Sequence, residues 1–559
     1  MPTIDISFKD LKNLMGAEIS FEELEDQAIL YVKGEIDGFE DDEVKVDCKE
    51  TNRPDLWSTE GMARQIAPFY TKKKGVPKYN VKKGNYQVHV DKSTSKVRPA
   101  FVAAVIKNVK VTDYLIKQAV QLQEKVCMTF GRKRKEAAIG LYDLDKLKFP
   151  LYYKTVEPES IKFVPLGFKI KMTPGEILED HPKGQEYGTL IKGYKRYPLV
   201  IDSNNEVASL PPIINSDYTG KVTEDTKNLF VEVTGYDLET VKVALNVMVA
   251  ALADRGGLIE SVEIIYPDKK VITPDFTPKK KTVSLPRLQK LSGLNLSNKE
   301  IKELLEKSGY NVNIKKDTIE VEYPSYRQDI LHDVDVIEDL LIAYGYNKIE
   351  PVIPDISTVG NLDKFEVFCD KVRNFMVGLG CQELLTFTLS NKDTLFEKMN
   401  VNEFPCVEIA NPVSSQWSVL RNWVLPSMME FLGKNSSQEY PQHVYEVGDA
   451  VVLDENEETK TKSIKRLAWA YAGKDATFTY AKQVLDFLLN GLKKSYDIVE
   501  VEHSSFINGR VGRVVVDGKK VAYIGEVNPQ VIENFGIKLP VVAFELNLTD
   551  LYELLDEFK

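Results

Sequence analysis

326-YRQDILHDVDVIEDLLIAYGYNKI-349 is the stretch that decides how this chain is organised. Residues 333–345 read as a helix that closes a small folded block. Asp335, Glu338 and Asp339 stand at i, i+3 and i+4 and so share one face of that helix. Asp329 lies six residues before Asp335, just ahead of the helix. Four carboxylates without a histidine suit a hard cation such as Mg2+. Acids in a first helical turn are also favoured by the helix dipole and by capping. Spacing leaves both readings open.

Upstream in the same block, 296-LSNKEIKELLEKSGYNV-312 reads as a capped amphipathic helix ending near a glycine, and 317-DTIEVEYP-324 as a strand. A Pro/Lys linker, 273-TPDFTPKKK-281, opens the block, which spans 271–352. Before it, residues 96–270 alternate strands (101–109, 259–266) with helices (113–130, 237–256) around a polar, turn-rich segment at 211–235. That pattern predicts one α+β domain with a loop-built pocket. Residues 1–95 begin with strand-like alternation at 3–8. A helix over 20–32 follows, with Ser20 and Glu23 in capping-box spacing, then a turn at 52–55 that leads into a helix. The lysine-rich run 72-KKKGVPKY-79 reads as a solvated hinge. Beyond the decisive stretch, residues 353–559 start with a helix over 364–380 and a strand over 382–390. Antiparallel strands follow at 443–453, 512–527 and 541–548, with a hairpin turn at Gly518. The expectation is a multidomain α+β chain.

At 559 residues the chain has room for roughly four domains. Its 43% hydrophobic and 28% charged composition excludes a disordered chain, a collagen-like fibre and a disulfide scaffold. The charge sum, 73 minus 84, is −11, which argues against coating nucleic acid by bulk charge but leaves room for a local basic groove. Cys48, Cys127, Cys369, Cys381 and Cys406 form no CxxC pair, and the five histidines form no HExxH pair. The N-terminus has no apolar leader, and the longest uncharged apolar run, Val243–Ala253, is far short of the ~20 residues of a membrane span. A soluble cytoplasmic protein with reduced thiols and no membrane partner is expected. No Walker, GxGxxG, GxSxG or kinase signature is present.

Three further constellations carry chemistry with open alternatives. The run 131-GRKRKEA-137 could meet a phosphate backbone or be a solvated helix end. The stretch 211–235 offers Asn215, Ser216, Glu232 and Thr234 either to a small-molecule pocket or to ordinary turns. Arg421, between Trp417 and Trp423, is either an anion ligand or an interface arginine.

The stretches 52-NRPDLWSTEGMAR-64, 211-PPIINSDYTGKVTEDTKNLFVEVTG-235 and 326–349, with 411-NPVSSQWSVLRNWVLPSMMEFL-432 and 444-VYEVGDAV-451, occur in an order and spacing that resemble the β subunit of phenylalanine–tRNA ligase, of the archaeal and eukaryotic-cytosolic type. The resemblance covers essentially the whole chain. It implies an (αβ)2 heterotetramer in which the α subunit binds ATP, Mg2+ and phenylalanine and attaches the amino acid to tRNA(Phe). It implies an N-terminal α+β domain (1–95), an editing domain (96–270), a small winged-helix-like domain with a metal site (271–352) and a class II synthetase-like antiparallel sheet domain that has lost catalysis (353–559). The segments 444-VYEVG-448 and 541-VVAFELNL-548 lack the arginines of a working site of that class, so this domain is expected to be a platform for the α subunit.

By the same resemblance, Asp329, Asp335, Glu338 and Asp339 are Mg2+ ligands. Glu232 is the candidate ligand for a tyrosine hydroxyl in an editing site that hydrolyses Tyr-tRNA(Phe), Thr234, Asn215 and Ser216 line that pocket, and Arg132 and Arg134 hold the 3′-end phosphates. Tyr142 stands where the family often has histidine, which counts against a histidine-assisted step. Two alternatives remain beside this expectation: a free-standing nucleic-acid-binding protein, and a structural subunit without editing activity.

Overall fold

The computed structural model describes residues 2–555. The chain divides into two compact units, Met1–Ile353 and Pro354–Lys559.

The first unit begins with a three-stranded antiparallel sheet of Thr3–Ser7, Glu43–Cys48 and Gly34–Glu40, in that spatial order. Alternation buries Ile4 and Ile6 and leaves Asp5 outward. A helix, Phe8–Met15, starts at once on the Ser7 cap and ends at Gly16, whose φ of +71° is the left-handed conformation that glycine adopts freely. The helix expected over 20–32 breaks at Gln27 into Phe21–Asp26 and a tighter 3-10 turn, Ala28–Val32. The tighter turn places Ala28, Ile29 and Val32 together in the core. The NRPD turn leads into a helix, Thr59–Tyr70, capped by Ser58. The following lysine run is not a free hinge: Gly75 N–H donates to the Glu306 carbonyl (2.8 Å), Val76 N–H to Asn311 Oδ1 (3.1 Å), and Val76 is buried. The lysine side chains at 72–74 and 78 remain exposed.

A ten-stranded mixed sheet forms the centre of this unit. Its strands run in space as Ile214–Asn215, Val207–Leu210, Tyr197–Ile201, Leu151–Val156, Val81–Val90, Leu258–Ile265, Ala100–Lys107, Leu229–Gly235 and Ala137–Asp143, with Lys270–Thr273 beside Leu258–Ile265. Strand Val81–Val90, which the sequence pattern left in the N-terminal block, is thus an interior member of this sheet. The helix Leu238–Asp254 and the helix Asp113–Met128 cover one face. The first of these is apolar on nearly every side because it is wrapped on nearly every side, with eleven of its residues from Val241 to Leu252 buried. The last block has a three-stranded sheet, Lys279–Ser284, Thr318–Tyr323 and Asn311–Lys315, packed by the helices Leu285–Ser292, Asn298–Lys307 and Asp333–Tyr344.

The second unit is built on a seven-stranded sheet, ordered Gln382–Glu383, Gln442–Leu453, Thr461–Ala472, Val541–Asn547, Lys519–Val527, Phe506–Val516 and Asp497–Glu500. Helices Lys364–Gly378, Phe478–Gly491 and Leu548–Glu553 pack on one face over Trp469 and Phe544. Helix Leu425–Lys434 packs on the other over Ala468, Ala470 and Ala543. The hairpin at Asp517-Gly518 has φ of +47° and +80°, the paired left-handed turn that favours glycine. The strand expected over 382–390 is reduced to the pairs Gln382–Glu383 and Leu389–Ser390. Its alternating apolar residues have nothing to cover: Leu385 and Phe387 are 94% and 72% exposed. Arg421 is neither an anion ligand nor exposed. It is 1% accessible and pairs with the buried Glu446 (2.7 Å), with Thr386 Oγ1 (2.6 Å) and the Asp449 carbonyl (2.8 Å) completing its hydrogen bonds.

Close approach of the NRPD turn to helix Thr59–Tyr70 depends on Gly61. A Cβ there would lie 1.8 Å from the Asp55 carbonyl oxygen, a backbone atom that cannot swing away. Gly61→Ala is expected to destabilise the first unit by roughly 1–3 kcal/mol in urea denaturation, the usual cost of overpacking a core. A neutral result would show that the turn is free to shift.

Candidate functional site

Strand Leu229–Gly235 lies between Ala100–Lys107 and Ala137–Asp143. The register sets Glu232 opposite Ala103 on one side and Gly140 on the other. Two of the smallest residues therefore flank a carboxylate that is itself 3% exposed. Tyr142, two positions from Gly140 on the same face, donates its hydroxyl to Glu232 Oε1 at 2.8 Å, while Oε2 is buried without a hydrogen-bond partner. Gly140 is required by this approach, since a Cβ would fall 2.6 Å from the Tyr142 hydroxyl and 2.8 Å from Glu232 Oε1. Burial pushes the Glu232 carboxyl up to about 7, against the opposing pull of the Tyr142 hydrogen bond and the Arg98 charge. Burial and the Glu232 charge raise the Tyr142 phenol well above its ordinary range.

The other residues that the sequence assigned to this pocket lie on its frame. Thr234 shares the face of Glu232 and is wholly buried, and its hydroxyl accepts from Arg98 Nε at 2.9 Å. Asn215 donates through Nδ2 to the Leu141 carbonyl (3.0 Å), beside Tyr142. Ser216 caps the short turn of helix Asp217–Gly220. Arg134 reaches the Ile213 carbonyl (2.9 Å) and Glu124 (2.9 Å) and lies 4.1 Å from the Tyr187 ring centre, so it ties the 211–213 loop to helix Asp113–Met128. Arg132, Lys133 and Arg134 all have left-handed backbone, with φ of +47°, +55° and +65°, and Arg132 points its charge into solvent. The pattern of types in the chain gave no sign of Arg98. It is 1% exposed, and its guanidinium also donates to the carbonyls of Arg134 (3.0 Å) and Lys135 (2.9 Å). It therefore holds the basic turn against the Glu232 strand.

The four acids of the decisive stretch divide into two pairs. Asp329 accepts from Arg327 Nε (2.8 Å) and Nη2 (2.5 Å) and lies 3.8 Å from Arg53. Asp339 Oδ2 accepts from Arg327 Nη2 (2.8 Å) and from the Tyr310 hydroxyl (2.6 Å). Burial opposes ionisation of Asp329, but Arg327 and Arg53 outweigh it and hold the carboxyl down to about 2. Asp335 turns back to accept the N–H groups of Leu331 (2.7 Å) and His332 (2.6 Å), completing a capping box at the start of helix Asp333–Tyr344. Glu338 is exposed and pairs with Lys33 (3.1 Å). Among the described residues no group of three or more His, Cys, Asp or Glu side chains is arranged to hold a metal ion. In this arrangement the four acids do not fit a Mg2+ cage, because Arg327, with Arg53 beside it, already occupies the inward pair.

Comparison with known proteins now decides the family. Residues 349–548 match the phenylalanyl tRNA synthetase beta chain CLM domain, and residues 281–346 match the tRNA synthetase B5 domain. Over 556 residues the chain is 52% identical to the phenylalanine–tRNA ligase beta subunit of Pyrococcus horikoshii, covering 99% of this chain and 100% of that one. The chain belongs to the phenylalanine–tRNA ligase beta subunit family. Its likeness to the Pyrococcus furiosus beta subunit is 53% over 557 residues (99% and 100% covered), and to that of Archaeoglobus fulgidus 39% over 556 residues (99% of each). A crystal structure of an N-terminal fragment of the Pyrococcus horikoshii beta subunit superposes with a TM-score of 0.60 at 52% identity, over 62% of this chain and 100% of the fragment. The beta-subunit family is thus shown as a multidomain α+β structure. Among the described residues no helix is long and apolar enough to cross a membrane.

The buried carboxyl of this beta-subunit chain has a pH signature. Its folded pKa of about 7 exceeds the unfolded value of 4.5, so the unfolded chain releases its proton first and stability falls as pH rises between the two. Glu232→Gln, which has no proton to lose, is expected to flatten this slope and to be more stable than the wild type at pH 8 by up to about 3 kcal/mol. Denaturation at pH 5 and pH 8 checks this, and equal slopes in both proteins would contradict it.

Proposed function

We propose that this beta subunit supports ATP-dependent attachment of phenylalanine to tRNA(Phe) by an α subunit that holds the synthetic site, and that its own large sheet hydrolyses mischarged Tyr-tRNA(Phe). The observation that carries the editing reading is the contact of a phenol hydroxyl with Glu232. Tyr142 places on Oε1 the same group by which tyrosine differs from phenylalanine, and Oε2 is a second buried acceptor with no partner. A hydrophobic pocket rejects an added hydroxyl by only about 10²-fold, so a second site that binds that hydroxyl is the chemically economical remedy. Asn215, Ser216 and Thr234 frame the site, and Arg132 is the exposed charge available to a 3′-end phosphate, with Arg134 holding the loop beside it. An oriented water would then attack the ester carbonyl, with the 3′ oxygen of the tRNA leaving.

The finer architecture belongs to the same proposal. It comprises an N-terminal domain (1–95, with strand Val81–Val90 lent to the next sheet), an editing domain (96–270), a winged-helix-like domain (271–352) and a non-catalytic class II synthetase-like domain (353–559). The assembly is a cytoplasmic (αβ)2 heterotetramer that uses ATP and Mg2+. Exposed apolar side chains on the second unit, Leu385, Phe387 and Val413 among them, are consistent with a platform that awaits a partner chain. The reading as a free-standing nucleic-acid-binding protein loses ground to the full-length match with beta subunits.

In the complex with the α subunit, Glu232→Ala is expected to slow Tyr-tRNA(Phe) hydrolysis by about tenfold, the weight of one buried hydrogen bond, while phenylalanine charging is retained. A complex that hydrolyses the ester equally well with alanine at 232 would remove Glu232 from the site, and a wild-type complex with no hydrolysis would leave a structural subunit. Mg2+ at Asp329, Asp335, Glu338 and Asp339 requires Arg327 to release two of them. If Mg2+ raises the Tm of the wild type but not of Asp335→Asn with Glu338→Gln, the acids hold the ion. The arrangement with Arg327 predicts that both proteins respond to Mg2+ alike.

A further inference from the structure

The sheet of the second unit carries a polar row on one of its faces. Arg466 stands opposite Asn547, Glu545 opposite both Ala468 and Tyr523, and Tyr523 opposite Arg513. Period-two alternation puts all of these on one side, away from the core of Trp469 and Phe544. The segment Asn422–Leu425 packs against this row. Glu545 Oε2 accepts the N–H groups of Val424 (2.9 Å) and Leu425 (2.7 Å) at the start of helix Leu425–Lys434. Between the row, this segment and the aromatic rings of Phe404 and Phe506 is a cavity of about 420 Å³.

The wall of this cavity is unusually unsatisfied. Asn422 Nδ2 and Oδ1, Trp423 Nε1, Arg466 Nε and Glu545 Oε1 are all buried and all without a hydrogen-bond partner. Asn422 and Glu545 are each 6% exposed. Buried polar groups are ordinarily paired; four of these atoms have no partner and Glu545 Oε1 has only its ion pair with Arg466, so the residues around this one cavity call for a group that pairs them. The charges point the same way. Arg513 lies 3.9 Å from the Tyr523 ring centre and forms no ion pair among the described residues, and burial, with the nearby charge of Arg466, disfavours its own charge. Arg466 Nη1 lies 3.2 Å from Glu545 Oε1, an ion pair without hydrogen-bond geometry, while Oε2 of that carboxylate is engaged by the helix start.

The wall thus offers partners for both an anionic acceptor and a cationic donor, beside an apolar body. The acceptor meets Arg513, Arg466 Nε and the Trp423 N–H. The donor meets Glu545 Oε1 and Asn422 Oδ1. Arg466, Arg513 and Lys520 stand against Glu545 and Asp550 in the lining, three charges against two, which suits a ligand of little net charge. We infer that this cavity binds a free α-amino acid with an apolar side chain, its carboxylate on Arg513 and Trp423, its ammonium on Glu545, and its side chain against Phe404 and Phe506. The site lies wholly within this chain and does not depend on the editing reading.

Isothermal titration of the full chain, without the α subunit, with L-phenylalanine, L-leucine and L-methionine tests this, with AMP as the competing chemistry. One site per chain is expected for at least one of the three, weakened at least about tenfold by Arg513→Ala and by Asn422→Ala, with near-ultraviolet dichroism confirming that both variants fold. Hydrogen exchange on the wild type gives a readout that needs no variant: the ligand should protect the amides of 421–425 and 511–515. No binding by any of the three up to about 10 mM, binding of AMP alone, unchanged affinity in the folded variants, or binding without protection of these segments would each overturn the assignment.

Discussion

Arginine burial is the constraint on which much of this structure depends. Arg53, Arg98, Arg327 and Arg421 are 1–3% exposed, and a guanidinium taken out of water must be met on every edge. Each therefore fastens elements that are distant in the chain. Arg53 meets Asp55 within the NRPD turn and approaches Asp329 from the last block of the first unit. Arg98 fastens the basic turn at 134–135 to the Glu232 strand. Arg327 collects Asp329 and Asp339, and Arg421 fastens the loop before helix Leu425–Lys434 to strand Gln442–Leu453 of the second sheet. Such pairs add less net stability than their geometry suggests, since desolvation offsets much of the attraction, but removing one partner leaves a buried charge. They act as registry devices that allow one arrangement of loops and penalise the others.

The same economics shapes the two polar centres. Glu232 is the inverse of the arginine sites: a carboxylate buried with one phenol and no cation in contact, and so held near neutrality by its surroundings. Its neighbours Ala103 and Gly140 leave the space that a larger pair would fill. In the second unit one arginine pairs with a carboxylate that is half committed to a helix start, and a second arginine on the same face has no carboxylate of its own among the described residues. The first centre lacks a donor and the second lacks both a donor and an acceptor, which is why the two call for different ligands.

Much of the secondary structure was legible along the chain because it rests on local periodicity and caps. The helices beginning at Thr59, Asn298 and Asp333 and the hairpin at Asp517-Gly518 are of this kind, whereas the strand Leu229–Gly235 that carries Glu232 lies in a segment that reads as turn. Local pattern failed where a neighbour decides the outcome. Residues 382–390 alternate like a strand but have no partner along most of their length, and 72–79 is polar like a hinge but is hydrogen-bonded to Glu306 and Asn311. Arg466 and Arg513 of the second sheet carry no local signal, because they lie on strands between 444–448 and 541–548, the two segments that correspond to phosphate-gripping motifs.

By itself, then, the sequence determined the α+β class, the position of most elements, the family to which the chain belongs, and the residue types available to a site. Periodicity, capping and motif order are properties of neighbouring residues and survive without a fold. Tertiary structure alone decided which acids are free. Asp329 and Asp339 face Arg327, Asp335 closes a cap, and Glu338 meets Lys33, although all four read alike in the chain. It also decided that Tyr142 meets Glu232 and that Arg513 lines up with Glu545. These contacts join residues tens of positions apart, and the register of a sheet follows from the packing of whole faces, which no local pattern encodes.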